Sequence, residues 1–345
     1  MKALRLHGAT QLALHEEPDP VAGDGELLIR VTAVGLCGSD RHWLIEGGIG
    51  DAVLETPLVL GHEFAGVVES GRRAGERVVL DPAIPCGRCP VCRAGQPHLC
   101  ISLRFAGHGS TDGALRTLMT WPQELAHRVP DALPDEQAPL LEPLGVALHA
   151  LDLGHVGQGT STAVVGCGPI GLLLLQAIRA AGASAVLATD RLPHRVESAA
   201  AMGADRALAA DDPAVETAST KATGGLGVDV AFEAAGEDGA LDAAIAATRP
   251  GGRVVLVGIP DADRTTFTAS IARRKGLTLL LCRRMAPTDL PRAIGLVGSG
   301  GVQLDGLVTA RFGLGEWREA FAALRDRSGL KVIVEPQRLD EETSG

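Results

Sequence analysis

Residues 162–171 read TAVVGCGPIG, and this stretch decides the fold. A short apolar strand runs into Gly166, Gly168 and Gly171, spaced G-x-G-x-x-G, and the chain continues as the helical pattern PIGLLLLQAIRAAG (169–182). Each glycine has a physical task. Gly166 permits the tight turn out of the strand. Gly168 lets the backbone approach a pyrophosphate, and Gly171 lets helix and strand pack closely, with the phosphate at the helix N-terminus. Pro169 and Ile170 belong to the same candidate cofactor-binding turn. The next strand, AVLATD, ends at Asp190, 19 residues beyond Gly171. A carboxylate there would accept from the adenosine ribose diol and repel a 2′-phosphate, so NAD is expected over NADP. Arg191 complicates this, because an arginine beside that carboxylate can hold a phosphate; its other reading is a solvated loop residue near adenine. Arg195 is placed in the cofactor-binding set as well. The motif alone is a weak signal, but here its strand–turn–helix context is present. The competing reading is a sheet of this type that binds no dinucleotide.

Working outward, apolar strands alternate with Ala-rich helical stretches from residue 146 to about 287: RVESAAAMG, DVAFEAAG and GGRVVLVGIP follow the motif. This alternation predicts a parallel α/β sheet of the Rossmann, doubly wound kind. The first 145 residues differ. ELLIRVTAVGLCGSD (26–40) reads as a strand, a turn and a helix start. PLVLGHEFAGVVES (57–70) and GERVVLDP (75–82) read as strands, so this part is mainly β, resembling a partly open barrel. From 288 the pattern returns to mixed α and β, with a last strand at LKVIVEP, and the acidic tail RLDEETSG (338–345) reads as mobile. A chain of 345 residues is long for one core. Three segments are expected: 1–145, 146–287 and 288–345, the last returning to the first domain.

Net charge is −10 with 46% apolar residues, which disfavours nucleic acid as a partner. The longest apolar stretch, IGLLLLQAIRAAGASAVLA, carries Gln176 and Arg179 and does not read as a membrane span. The first ten residues read as a strand and not as a signal peptide. The expected location is the cytoplasm.

Four of the seven cysteines lie in CGRCPVCRAGQPHLC (86–100), at Cys86, Cys89, Cys92 and Cys100. In a reducing compartment, clustered cysteines favour metal over disulfides. C-x2-C-x2-C-x7-C, with Pro85, Gly87, Pro90 and Gly95 supplying turns, suits a closed tetrahedral zinc that braces the lobe. An iron–sulfur cluster or a redox cluster is the alternative. A second set is scattered: Cys37, Ser39, Asp40, Arg41 and His42 in GLCGSDRHW, His62 and Glu63 in VLGHEFAG, and Glu142 in LLEPLGV. Taken singly, each has a structural explanation. Together they offer a thiolate, an imidazole and carboxylates, which suits a zinc with an exchangeable position.

GHEFAGVVES, the cysteine lobe, LLEPLGVALHA and VVGCGPIG occur in the order seen in zinc-dependent medium-chain dehydrogenases. The chain resembles that family over about residues 1–336, and CGSDRHW, Glu63 and EPLGV are most similar to its sorbitol (polyol) dehydrogenase branch. The resemblance implies a GroES-like catalytic domain interrupted by the Rossmann domain. It implies two zinc ions per chain, one structural and one catalytic. The catalytic one falls to Cys37, His62 and Glu63, with Glu142 acting through water or replacing Glu63 during turnover. Asp40 would orient the ligating histidine, and Ser39 and His42 would form the proton relay. Trp43, Phe105 and Arg284, with Arg283 beside it, would fall at the substrate pocket. The chain has no tyrosine, so Trp43 stands where the branch usually has that aromatic. The implied reaction is reversible transfer of hydride from a secondary alcohol, of polyol or sugar-alcohol type, to NAD, with zinc as Lewis acid. The implied partner is a small alcohol, and the implied assembly a homodimer or homotetramer. An amino-alcohol substrate such as L-threonine, or a cyclitol, is the alternative within the fold. A non-catalytic zinc protein sensing NAD is the alternative of another class, disfavoured by the Ser39–His42 pair. A zinc-free quinone reductase is disfavoured by Cys37, His62 and the lobe.

Overall fold

The computed structural model describes residues 1–261 and 263–338; apart from Arg338, the acidic tail lies outside the described residues. The chain divides into two compact units. One holds residues 1–142, 286–294 and the chain from Leu304 onward; the other holds 143–285 and 295–303.

In the second unit six strands run parallel. Their order is Arg206–Ala209, Ala185–Asp190, Ser161–Val165, Val228–Glu233, Thr248–Leu256 and Thr278–Leu281. Numbered within the unit this is 3-2-1-4-5-6, so the order reverses beside Ser161–Val165, whose five residues are all buried. Near-continuous apolar runs are what a sheet covered on both faces requires. The helix Pro169–Ala180 begins with Pro at its first position, where no N–H is needed, and buries Leu172 to Ile178. Its approach to the strand depends on Gly171: a Cβ there would lie 1.9 Å from the Gly166 carbonyl oxygen.

The first unit is mainly β. Its large sheet centres on the ten-residue strand Glu26–Gly35, whose burial alternates as one covered face demands. Antiparallel neighbours are Glu63–Val68, Leu118–Pro122 and Lys331–Glu335. Lys331–Glu335 pairs in parallel with Val308–Gly313. A smaller sheet joins Leu12–Glu16, Lys2–Leu6 and Leu58–Val59. The core contains Leu4, Ile29, Trp43, Leu58, Phe64 and Met119 among others. PLVLGHEFAGVVES is not one strand, as its composition predicts, but two, Leu58–Val59 and Glu63–Val68. The break falls at Gly61, which has φ +91° and packs against Val34 and Leu115. His62 lies in this break, just before the second strand begins at Glu63. Among the described residues no helix is long and apolar enough to cross a membrane.

Gly171→Ala should lower stability by about 1–3 kcal/mol through overpacking. An unchanged melting temperature would show that helix and strand do not approach as described.

Candidate metal centres and dinucleotide site

The sulfurs of Cys86, Cys89, Cys92 and Cys100 lie within 4.8 Å of one another. Gly87 and Gly95 take the left-handed turns, with φ +68° and +81°. Pro90–Arg93 is a single helical turn, and Pro97–Leu99 returns Cys100 to the group. Backbone amides point at the sulfurs: Cys92 N donates to Cys89 Sγ at 3.4 Å, and Cys86 N and Ser102 N donate to Cys100 Sγ at 3.3 and 3.4 Å. Amides of Cys92 and Ile101 hold the Cys89 thiol down to about 6. Burial, then the neighbouring sulfurs, push Cys92 up to about 12. One thiolate thus opposes the next, and four together need a cation between them. All four are free of disulfides. The donor set fits a closed, structural zinc.

The second cluster lies where three strands meet in register. Gly35 pairs with Glu63 on one side and with Ile333 on the other. The end of Glu26–Gly35 therefore meets the start of Glu63–Val68 and the middle of Lys331–Glu335, with Cys37 and Lys331 two residues, and His62 one residue, from the paired positions. Ligand atoms of Cys37, His62 and Glu63 lie within 4.8 Å of one another. Gly35 makes room for the carboxylate, since a Cβ there would lie 2.2 Å from Glu63 Oε2.

Asp40 is wholly buried and ties the two ligand loops together. Its carboxylate accepts from Cys37 N at 2.9 Å and from Gly61 N at 3.1 Å, and Oδ1 lies 3.8 Å from His62 Nδ1. Burial works against charge on His62, but Asp40 and Cys37 outweigh it and hold the imidazole's pKa well above the ordinary value. The same field favours a metal ion at this spot.

Both Glu63 oxygens accept from Lys331 Nζ, at 2.8 and 2.7 Å, and Nζ also donates to the Leu36 carbonyl at 3.1 Å. Burial presses the ammonium toward neutrality; Glu63 and Cys37 reverse this and raise its pKa. Sequence reasoning missed Lys331. The signal was a lysine opening the apolar run LKVIVEP, but its partner is 268 residues away. Glu142 is buried in the same field without joining the close set. Burial first, with Glu63 adding, pushes its carboxyl up to about 8.

The remaining expectations separate. Ser39 Oγ is buried with no hydrogen-bond partner among the described residues, an orphaned hydroxyl that suits a bound substrate. His42 lies one turn further along the same helix, Gly38–Glu46, and its Nδ1 is 2.9 Å from Glu46 Oε1. Glu46 was legible as the i,i+4 partner of His42 but was not read. Phe105 packs on His62, with ring centroids 5.4 Å apart. Trp43 is placed in the core at 1% exposure, its ring nearly perpendicular to that of His108, an aromatic neighbour not picked out from sequence. Arg284 belongs to the second unit, where it takes φ +59° after the strand Thr278–Leu281, next to Arg283.

In the second unit Gly166 has φ +101° and a Cβ there would lie 2.7 Å from Ala235 N. Gly168 faces only the tip of Arg195, 3.5 Å from its Cβ position, so the backbone there is approachable. Asp190 Oδ2 accepts from Cys167 N at 2.7 Å, and Oδ1 from Leu192 N at 2.9 Å. The carboxylate is thereby fixed at the glycine turn, with Arg195 4.0 Å away. Arg191 is ion-paired with Glu237. The backbone and carboxylate fit a dinucleotide at a helix N-terminus.

Cys92→Ser should remove about one zinc per chain and lower the melting temperature; unchanged zinc content would reject the closed site. Lys331→Met strands a buried carboxylate and should cost about 3–5 kcal/mol, part of which Lys331→Met/Glu63→Gln regains. Urea denaturation of the two variants checks this, and a single variant as stable as the parent would refute it.

Residues 23–131 match the alcohol dehydrogenase GroES-like domain, and residues 169–299 the zinc-binding dehydrogenase domain. The chain is 35% identical to the sorbitol dehydrogenase of Bacillus subtilis (strain 168), over 98% of each chain. A solved structure from Sinorhizobium meliloti 1021 bound to NADP superposes with a TM-score of 0.87 at 30% identity, covering 97% of this chain and 99% of that one. An alcohol dehydrogenase from E. coli CFT073 complexed with NADH gives 0.87 at 27% identity, with the same coverage. With its GroES-like unit, its parallel six-stranded sheet and its metal-ligand clusters, the chain belongs to the zinc-binding medium-chain dehydrogenases and is a zinc-dependent dehydrogenase.

Proposed function

We propose that this dehydrogenase oxidises the secondary hydroxyl of a polyol or other vicinal diol, reversibly, with NAD as acceptor. The observation that carries this reading is the composition of the buried cluster. Cys37, His62 and Glu63 converge, a second carboxylate, Glu142, stands in the same field, and the Ser39 hydroxyl has no partner. In this reading Cys37, His62 and Glu63 hold the catalytic zinc, and the four-cysteine lobe holds a second, structural one. When bound, zinc supplies Lewis acidity toward the substrate hydroxyl and NAD supplies the hydride acceptor. A carboxylate-rich set is harder than a thiolate-rich one and suits a substrate offering two oxygens. The likeness to a sorbitol dehydrogenase supports the same class.

The chain's own groups do the rest. Asp40 orients His62 and fixes the Cys37 loop through its amide. The Ser39 hydroxyl takes the substrate proton as it passes its own on, and His42, a turn further along the helix with its Nδ1 2.9 Å from Glu46 Oε1, serves the outer end of the relay toward solvent. The expected bounds shift slightly in this reading: residues 1–142, 286–294 and those from Leu304 onward serve as the catalytic domain, and 143–285 with 295–303 as the domain that binds NAD. There Gly166, Gly168, Pro169, Ile170 and Gly171 receive the pyrophosphate, and Asp190 accepts from the adenosine ribose.

The test is reduction of NAD across sugar alcohols, simple secondary alcohols, vicinal diols and L-threonine. Turnover should be highest on a polyol or vicinal diol, and Cys37→Ser should lower it on the order of a hundredfold or more. Preference for L-threonine, or silence of zinc-loaded protein across the panel, would overturn the polyol reading. Full activity of Cys37→Ser would overturn the site.

A further inference from the structure

Two arginines flank the carboxylate that ends Ala185–Asp190, and they are in different states. Arg195 is packed close to Asp190 and Gly168, with its side chain 15% exposed. Arg191 is 63% exposed and directly follows the carboxylate, near enough for its guanidinium to take a 2′-phosphate. Its charge, however, is engaged by Glu237, 46 residues away in the chain. Arg191 follows the strand Ala185–Asp190, and Glu237 follows Val228–Glu233. These two strands are the neighbours of Ser161–Val165 on either side. The ion pair therefore joins the two loops flanking the glycine turn, where the order of the sheet reverses.

We propose that Glu237 is a specificity-determining residue: it occupies Arg191 as an internal counter-anion and so keeps the site selective for the dinucleotide without a 2′-phosphate. This rests on the reading of the glycine turn as a dinucleotide site. A 2′-phosphate carries nearly two negative charges at neutral pH and pairs best with an arginine offered in fork geometry. To reach Arg191 it must displace Glu237, and it then faces two carboxylates, Asp190 and Glu237. A ribose diol meets neither cost and leaves the pair closed. Asp190 shares in the preference: a backbone amide on each oxygen holds its carboxylate in place, with lone pairs left for a ribose hydroxyl. Its share is fixed by the fold, whereas the Arg191–Glu237 pair is exposed and adjustable by a single substitution.

The experiment is fluorescence titration of the full-length, zinc-loaded chain with NADH and with NADPH. Glu237→Gln should tighten NADPH by about three- to tenfold, the scale of an exposed ion pair plus one removed repulsion. NADH should change by less than about twofold. In an Arg191→Ala background Glu237→Gln should tighten NADPH clearly less, by less than about twofold, since only the removed repulsion is left once the guanidinium is gone. Melting curves confirm that each variant is folded. Equal shifts for both dinucleotides, no shift for NADPH, or a shift that is undiminished without Arg191 would each overturn the proposal. If the folded parent chain binds neither dinucleotide, the dinucleotide reading itself fails, an outcome distinct from the other three.

Discussion

A buried lysine holding a buried glutamate is the constraint around which the first unit is arranged. Lys331 and Glu63 have side chains 4% and 1% exposed. Neither charge could be left there without the other, because several kcal/mol of lost hydration must be offset for each ion. The three donors of the ammonium are used, two on Glu63 and one on the Leu36 carbonyl. The pair thus joins three strand ends, and those ends carry or adjoin Cys37 and His62. The register of the sheet and the assembly of the metal ligands are therefore one event. A one-residue slip in either pairing would send Glu63 or Lys331 to the opposite face.

The two metal-ligand clusters solve charge in opposite ways. The four-cysteine lobe concentrates like charges, and only a cation makes them compatible, so metal and local structure form together. The Cys37–His62–Glu63 cluster is different. Asp40 and Lys331 already fix its ligand loops through amides and an ion pair, before any metal is considered. The chain builds that site from protein contacts and makes it attractive to a cation. This is what a catalytic centre requires, because ligands held by the fold need not move when an exchangeable position changes its occupant.

What the sequence disclosed follows from how local each signal was. TAVVGCGPIG, with its strand before and helix after, and the close cysteine spacing contain their own structural context, and both were readable without a partner. The break in PLVLGHEFAGVVES was not, since Gly61 bends there to fit Val34 and Leu115, which are far away in the chain. Lys331 looked like an ordinary strand residue because its acceptor lies 268 residues earlier. The resemblance places Trp43 at the substrate pocket; that it is also packed into the β core, at 1% exposure, was not legible from its place after His42. Glu237 carried no motif at all; only the sheet order brings it to Arg191.

Gly35 shows that a candidate metal ligand can depend on a side chain that is missing. Glu63 Oε2 occupies the volume that any Cβ at position 35 would need, and Lys331 closes the far side. The three positions behave as a mould, a casting and a clamp. A change at any one of them leaves the other two mismatched. A lineage that exchanged the oxygen donor here for sulfur or nitrogen would be released from all three constraints at once, and positions 35 and 331 would then be expected to diverge together.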